Sequence, residues 1–274
     1  MTLIQNVAGT AFVVAEFRAE ENLKENPLYR DPVVGVFLDA ESKRAADRIF
    51  ASFPPIKTNV WVRTRYLDDR LDARLQSGFR QVVILGAGLD TRAQRKAKPG
   101  VAYFEIDDGA TLAFKRKRLE ERGIDPGVAY VPGDYVTEDF AALLSRKGFD
   151  FSLPTHFIWE GNTMYLSAAA VARVLASIAQ HLPRFSISFD FLAPEVIANE
   201  TGDPEITAVV ARFAAMGAPW TYGISDVETL ARQFRARVKD RFTIAELHRL
   251  YWRDKTPDSR LFDYYTLCTL AAVS

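Results

Sequence analysis

A series of short apolar runs separated by helical patterns constrains this chain more than any other feature. Gln81-Val82-Val83-Ile84-Leu85 stops at a glycine, the pattern of a parallel strand buried on both faces. Similar runs recur at Ala102–Ile106, Val128–Val131, His156–Trp159 and Phe185–Phe191, with helical patterns over Gly109–Arg122, Glu138–Lys147 and Ala168–His181 between most of them. Strands and helices alternating at this spacing build βαβ units and a parallel sheet. Ahead of the first strand, Thr10–Asn22, Arg44–Phe50 and Val60–Leu75 read as helices, interrupted by Pro27, Pro32 and Pro54-Pro55. Beyond Phe191 the alternation stalls. Ala193–Met216 reads as a helix with an acidic start, Pro219–Gly223 as a loop, and Ser225–Arg235 as a helix opened by a capping box of Ser225 and Glu228. Arg237–Phe242 and Phe262–Val273 are the last expected strands, with a helix over Ala245–Trp252 between them.

Composition narrows the function classes. The 274 residues suit one large α/β domain or a core with a small accessory piece, and 48% hydrophobic residues supply a sizeable core. Lys plus Arg equals Asp plus Glu at 35 each, so neither nucleic acid nor an anionic membrane meets a strong opposing field. The single cysteine, Cys268, excludes an intrachain disulfide framework and a multi-cysteine metal site, and fits a reducing compartment. The apolar stretch Val7–Ala15 has no basic region before it and Glu16, Glu20 and Glu21 after it, so it reads as a helix face rather than a secretion signal. No stretch approaches the roughly 20 apolar residues of a membrane span. The expectation is a cytoplasmic protein.

Open parallel sheets bind ligands at the carboxyl ends of their strands. Here the first strand ends in Gly86-Ala87-Gly88-Leu89-Asp90-Thr91, the second in Glu105-Ile106-Asp107, the third in Pro132-Gly133-Asp134-Tyr135 and the fourth in Trp159-Glu160-Gly161. One acidic strand end means little, because aspartate is a common loop residue. Four in series at one sheet edge point to a site. Gly86 and Gly88 permit a tight turn and close approach of a ligand. A dinucleotide fingerprint wants a further glycine where Thr91 stands, and no GK[ST] is present for a nucleoside triphosphate. Asp107, about 20 residues on, suits a ribose diol, and Asp134 with its neighbour suits an adenine. A nucleoside without phosphates and with a positive centre, such as S-adenosylmethionine, fits best.

The segments RTRYLDD (Arg63–Asp69), QVVILGAGLDTR (Gln81–Arg92), FEIDD (Phe104–Asp108), VPGDY (Val131–Tyr135) and WEGNTMYL (Trp159–Leu166) together resemble the leucine carboxyl methyltransferase family. Within it the nearer resemblance is to the bacterial branch that includes tetracenomycin-type polyketide carboxyl O-methyltransferases. Arg18-Ala19-Glu20 and Asp31-Pro32 also look like family positions, and the likeness spans roughly residues 8 to 192. It implies a class I S-adenosylmethionine-dependent methyltransferase. Arg65 looks like the arginine that grips the methionine carboxylate, with Arg63 as the alternative and Arg18 as a second contact. Gly86 and Gly88 would line the methionine moiety, Asp107 would hold the ribose, Asp134 and Tyr135 the adenine, and Glu160 the amino group or sulfonium. Tyr135 departs from the family's usual leucine, and Asn162 stands where an aliphatic residue is usual.

A sulfonium methyl is already activated, so alignment of the acceptor is the main catalytic task. A carboxylate acceptor is ionised at neutral pH and needs no base; a phenol benefits from one. None of the three histidines, His156, His181 and His248, falls in a motif that demands a base, and no residue is assigned as catalytic. That favours a carboxylate of a small molecule or peptide. A hydroxyl acceptor and a non-catalytic nucleoside-binding regulator remain the alternatives. Asn162, Tyr165, Trp220 and Tyr222 are the candidate substrate residues. Trp220 and Tyr222, with Tyr251 and Trp252, form either an aromatic lid or the packing beneath a cap. Asp90 and Arg92 read as a local ion pair fixing the glycine turn, Lys115–Arg122 as a solvated helix face, and Cys268 as a buried small hydrophobe. The whole is expected to form one α/β domain: a Rossmann-like, seven-stranded, mostly parallel sheet with helices on both faces. Residues 1–77 would be a helical cap, 78–192 the cofactor-binding core, 193–224 an insertion or lid, and 225–274 the completion of the sheet.

Overall fold

The computed structural model describes residues 7–273, without the side chains of residues 7–9 and 52. In chain order the helices are α1 (Val7–Glu21), α2 (Ala40–Ser52), α3 (Ile56–Gln76), α4 (Arg92–Arg95), α5 (Gly109–Glu120), α6 (Phe140–Ser145), α7 (Ala168–His181), α8 (Pro194–Ile197), α9 (Pro204–Ala215), α10 (Val227–Gln233) and α11 (Ile244–Tyr251). The strands are β1 (Gln81–Leu85), β2 (Ala102–Asp107), β3 (Ala129–Pro132), β4 (Thr155–Trp159), β5 (Phe185–Leu192), β6 (Ala236–Thr243) and β7 (Tyr265–Ala272). They form one seven-stranded sheet in the order β3-β2-β1-β4-β5-β7-β6. Neighbours from β3 through β5 pair in parallel, whereas β7 runs antiparallel to both β5 and β6. Strand order reverses at β1, between β2 and β4, and that switch point is where such sheets open a ligand crevice.

Every residue of β1 is buried, as a strand covered on both faces requires. Alternation then divides its side chains between the two layers. Val83 and Leu85 join α6, α7 and α10 in one core, while Val82 and Ile84 join α3, α9 and α11 in the other. The helices before β1 form a separate tier. Val13 and Phe17 of α1 pack on Ala45 and Ala46 of α2 and Val60 of α3. Ala15, from another side of α1, packs with Leu89, just past the glycine turn, and Leu119 of α5. Because α1 is covered on two sides, it lacks the single apolar stripe of an ordinary surface helix. It also buries Glu16, Arg18 and Glu21, each with a partner of its own.

Several local expectations change. The 193–216 stretch is two helices, α8 and α9, since Asn199 adopts a left-handed backbone (φ 57°) and Pro204 restarts the helix. The capping box at Ser225 does not form: Asp226, one place later, accepts the Thr229 N–H at 3.0 Å and starts α10. Reciprocal capping boxes occur instead at Asp39/Ser42 and Thr243/Glu246. Arg260–Asp263 is a short 3-10 turn, so the last strand begins at Tyr265 rather than Phe262. Lys115 leaves the solvated face expected of it. It is fully buried and meets Glu105 at 2.5 Å, while the ion pair of Arg116 with Glu120 lies outside. Among the described residues no helix is long and apolar enough to cross a membrane.

Candidate active site

The turn after β1 carries the first elements of the site. Gly86 (φ 61°) and Gly88 (φ 50°) both adopt the left-handed conformation that side chains resist. A Cβ on Gly86 would also lie 2.7 Å from Asn162 Oδ1, and one on Gly88 would lie 3.3 Å from the Ala11 Cβ of α1. The turn is therefore pressed between the β4 loop and helix α1. Asp107, at the end of β2, accepts the Gly88 N–H at 2.6 Å and the Asp108 N–H at 2.7 Å, one on each oxygen. Each oxygen has a second acceptor position. Burial raises the Asp107 carboxyl above its ordinary value, and the two N–H groups only partly oppose this.

Behind the turn lies a buried lattice of charges. Glu160, at the end of β4, accepts from Arg63 Nε at 2.9 Å and from Arg92 Nη1 at 2.8 Å. Burial alone would raise its carboxyl; Arg92 and Arg63 outweigh burial and hold it below the usual range. Arg92 also pairs with Asp90 and, at 2.8 Å, with Asp68. Arg95 adds a second contact to Asp68. Arg18 of α1 pairs with Asp31 and donates to the Thr91 hydroxyl at 2.6 Å and the Leu89 carbonyl at 3.1 Å. On the far side, Arg63 Nη1 reaches Asp190 at 3.3 Å and the Tyr265 hydroxyl at 3.0 Å. Asp190 also takes the Gly161 N–H at 2.6 Å and the Tyr265 O–H. Buried charges persist only when paired and hydrogen-bonded, and each of these is.

Two cavities meet at this lattice. The first, open and about 900 Å³ with its mouth, is the more polar of the two: Gly86, Gly88, Asp107, Glu160, Asn162 and Arg18 stand in its wall. The second, about 770 Å³ with its mouth, is largely apolar, with Val13, Met164, Tyr165, Phe213, Trp220 and Phe262 in its wall. Thr10, Val14, Arg63 and Gly161 belong to both walls, so the cavities adjoin there. Helix α1 covers both, and α9 with the following loop closes the apolar one. Among the described residues, no group of three or more His, Cys, Asp or Glu is placed to hold a metal ion.

The expected residues distribute as follows. Arg18, Gly86, Gly88, Asp107, Glu160 and Asn162 line the polar cavity, and Tyr165 and Trp220 line the apolar one. Arg65 does neither. Two residues along a helix turn a side chain to the opposite face, and Arg65 there pairs with Asp69 at 2.8 Å, donates to the Leu28 carbonyl and stacks on Tyr251. Arg63 is the member of the pair that reaches both cavities. Asp134 is exposed at the end of β3, outside either wall, and its carboxylate accepts from Val136 N–H and the Thr137 hydroxyl. Tyr135 is likewise outside: it accepts from Trp159 Nε1 at 3.0 Å and donates to Asn162 Oδ1 at 3.4 Å. Tyr222 packs against the core beside α7 and α10 instead of facing a cavity. Tyr251 and Trp252 are also away from the site, Trp252 against His248. Of the four aromatics only Trp220, stacked on Phe213 at 4.7 Å, lies in a cavity wall. None of the three histidines lines either cavity; burial in β4 pushes His156 down to about 3. Cys268 is buried in β7. Sequence reasoning noted Asp31 and Asp68 only as parts of family segments, without a role, and missed Asp190 and Tyr265. Asp190 carried a readable signal, a carboxylate inside the apolar run Phe185–Leu192, which a buried strand accepts only with a partner.

The chain is similar to known proteins. A family model described as leucine carboxyl methyltransferase matches residues 11–179. A Streptomyces coelicolor protein named "Putative S-adenosyl-L-methionine-dependent methyltransferase" is 37% identical over 189 residues, covering 64% of this chain and 65% of its own length. The chain thus spans just under two thirds of that relative. A Mycobacterium marinum protein of the same name is 34% identical over 224 residues, covering 75% of this chain and 70% of its own. A solved Thermobifida fusca structure described as a "putative methyltransferase" superposes with a TM-score of 0.62 at 20% identity, covering 98% of this chain and 95% of that one; it shares the fold. On the family model and these relatives, the chain belongs to the leucine carboxyl methyltransferase family.

Proposed function

We propose that this protein is an S-adenosylmethionine-dependent O-methyltransferase whose acceptor is the carboxylate of an apolar small molecule or peptide. The observation that carries the reading is the pair of adjoining cavities, one polar and one apolar, meeting at Arg63 and Gly161. The polar cavity fits the cofactor by its donor and acceptor set. Asp107 keeps an acceptor position on each oxygen for the two ribose hydroxyls. Gly86 and Gly88 present bare backbone in the wall beside which the methionine chain would lie, Glu160 offers a carboxylate to the amino group, and Arg18 and Arg63 are the cations in the wall. Asp134, on the neighbouring strand end, remains the candidate for the adenine, with Tyr135 holding Asn162 behind it. When bound, S-adenosylmethionine supplies an activated methyl group.

The chain's own residues then have to orient the acceptor and exclude water. Tyr165 and Trp220 belong to the apolar wall, and α1 covers the junction, so an acceptor oxygen placed beside Gly161 faces the polar cavity. No histidine stands at that junction, which suits an acceptor already ionised at neutral pH. In this reading the helices before β1 act as a cap, residues 193–224 supply one wall, and the chain works as one domain without nucleic acid or membrane. Incubation with methyl-labelled cofactor and a panel of apolar acids and phenols tests it. Base-labile, volatile label marks a methyl ester and is the expected result; base-stable label marks an ether and replaces the carboxylate with a hydroxyl acceptor. Cofactor binding with no transfer to any acceptor supports a non-catalytic nucleoside-binding protein instead.

A further inference from the structure

Asn59 and Arg63 stand one turn apart on α3, and both belong to the wall of the apolar cavity. They are deeply buried, at 7% and 8% exposure. Asn59 Oδ1 faces Arg63 Nη1 at 3.5 Å, a contact that sets which end of the carboxamide is the donor left over. Arg63 Nε and Nη1 are engaged by Glu160, Asp190 and Tyr265. Neither Arg63 Nη2 nor Asn59 Nδ2 donates a hydrogen bond to any described residue. Nearby hydroxyls differ: Tyr265 donates to Asp190, and Tyr165 accepts from Trp220. Both nitrogens stand at the cavity surface, neither being a sealed atom without a partner, so two free donors on one helical turn suit an acceptor-rich occupant of the cavity.

We propose that Asn59 determines acceptor specificity: its Nδ2 and one of the two Nη2 hydrogens of Arg63 form a two-donor clamp for the carboxylate of an apolar acid, the other Nη2 hydrogen serving the cofactor side. The proposal rests on reading the apolar cavity as the acceptor site. A carboxylate offers acceptors only and can take both donors, one of them charged. An alcohol leaves one donor poorly matched, and an alkylammonium sets donors against donors. The remainder of the wall, including Val13, Ile56, Met164, Phe213 and Phe262, supplies the apolar complement. Asn59 itself is absent from the wall of the polar cavity, so its role is separable from cofactor binding.

The test is calorimetric titration of the full chain, saturated with S-adenosylhomocysteine, with decanoate, decan-1-ol and decan-1-amine. The wild type is expected to prefer decanoate over decan-1-ol by about tenfold or more, the usual margin of a charge-assisted hydrogen bond. Asn59→Leu should erase about tenfold of that preference while leaving S-adenosylhomocysteine affinity unchanged. Asn59→Asp, which keeps the side-chain volume, should weaken decanoate further and admit decan-1-amine; it decides the matter if the leucine variant does not fold. A wild type indifferent to the carboxylate overturns the proposal. So does a preference that survives both substitutions, or a loss of S-adenosylhomocysteine affinity equal to that of decanoate. Failure of the cofactor reading is separate, because it shows as absent S-adenosylhomocysteine binding before any acid is added.

Discussion

Replacing Gly86 by alanine should disturb the site through two separable costs. The backbone at Gly86 has φ 61°, where an L-residue costs roughly 1–2 kcal/mol. The new Cβ would stand 2.7 Å from Asn162 Oδ1 and 2.8 Å from Nδ2, so Asn162 must move. Moving it loses the 2.7 Å bond from Asn162 Nδ2 to the Glu160 carbonyl, worth about 0.5–1.5 kcal/mol. Gly86→Ala is therefore expected to destabilise the fold by roughly 2–3 kcal/mol. Urea denaturation of wild type, Gly86→Ala, Asn162→Ala and the double variant resolves the parts. Once Asn162 is shortened, only the backbone cost should remain, giving a coupling of about 1 kcal/mol between the two sites. A single variant within about 0.5 kcal/mol of wild type, or additive effects in the double, would refute the claim that the turn is glycine because Asn162 presses on it.

Other outcomes follow from the buried charges. Lys115→Met leaves Glu105 buried without a partner and should cost about 3–5 kcal/mol, whereas Glu105→Leu with Lys115→Met should be close to neutral; thermal melts distinguish the two. Burial raises the Glu105 carboxyl to about 7 against Lys115, so the folded state holds that proton more tightly than the unfolded chain. Its contribution is full below the ordinary glutamate value and declines as pH rises toward 7, by at most about 1.4 kcal/mol per unit. The slope should vanish in the double variant. Asp31, Asp68, Asp90 and Glu160 behave oppositely: burial is outweighed by arginines, their values are depressed, and their stabilisation is lost as pH falls below about 4. Arg65→Ala should change stability by no more than about 1 kcal/mol and leave cofactor affinity intact. Arg63→Met, by contrast, strips Asp190 of its cation and should cost about 3–5 kcal/mol.

The sheet was largely legible because runs such as Gln81–Leu85 are short, almost wholly apolar, end at glycine and alternate with helical patterns. The edge of the site was legible for the same reason: topology places Gly86, Asp107 and Glu160 together once the strands are parallel. Pairing between distant elements was not. Nothing local separates Arg63 from Arg65; the choice is made by Glu160, 97 residues away, and by Asp190, 127 residues away. Lys115 looked solvated because its neighbours are charged, yet helical phase turns it inward onto Glu105. Tyr222 and Trp252 failed as lid residues because aromatic type alone does not say which layer a loop packs against. Ser225 failed as the expected cap because the adjoining Asp226, an equally good capping residue, starts the helix one place later.

The central claim is that S-adenosylmethionine is held in the polar cavity with its ribose on Asp107. Calorimetric titration of S-adenosylmethionine into wild type and Asp107→Ala tests it most directly. The wild type should bind one equivalent, and the variant, lacking the carboxylate that would receive two hydroxyls, should bind at least about tenfold more weakly. Absence of heat with the wild type, or equal affinity in the folded variant, would contradict the claim.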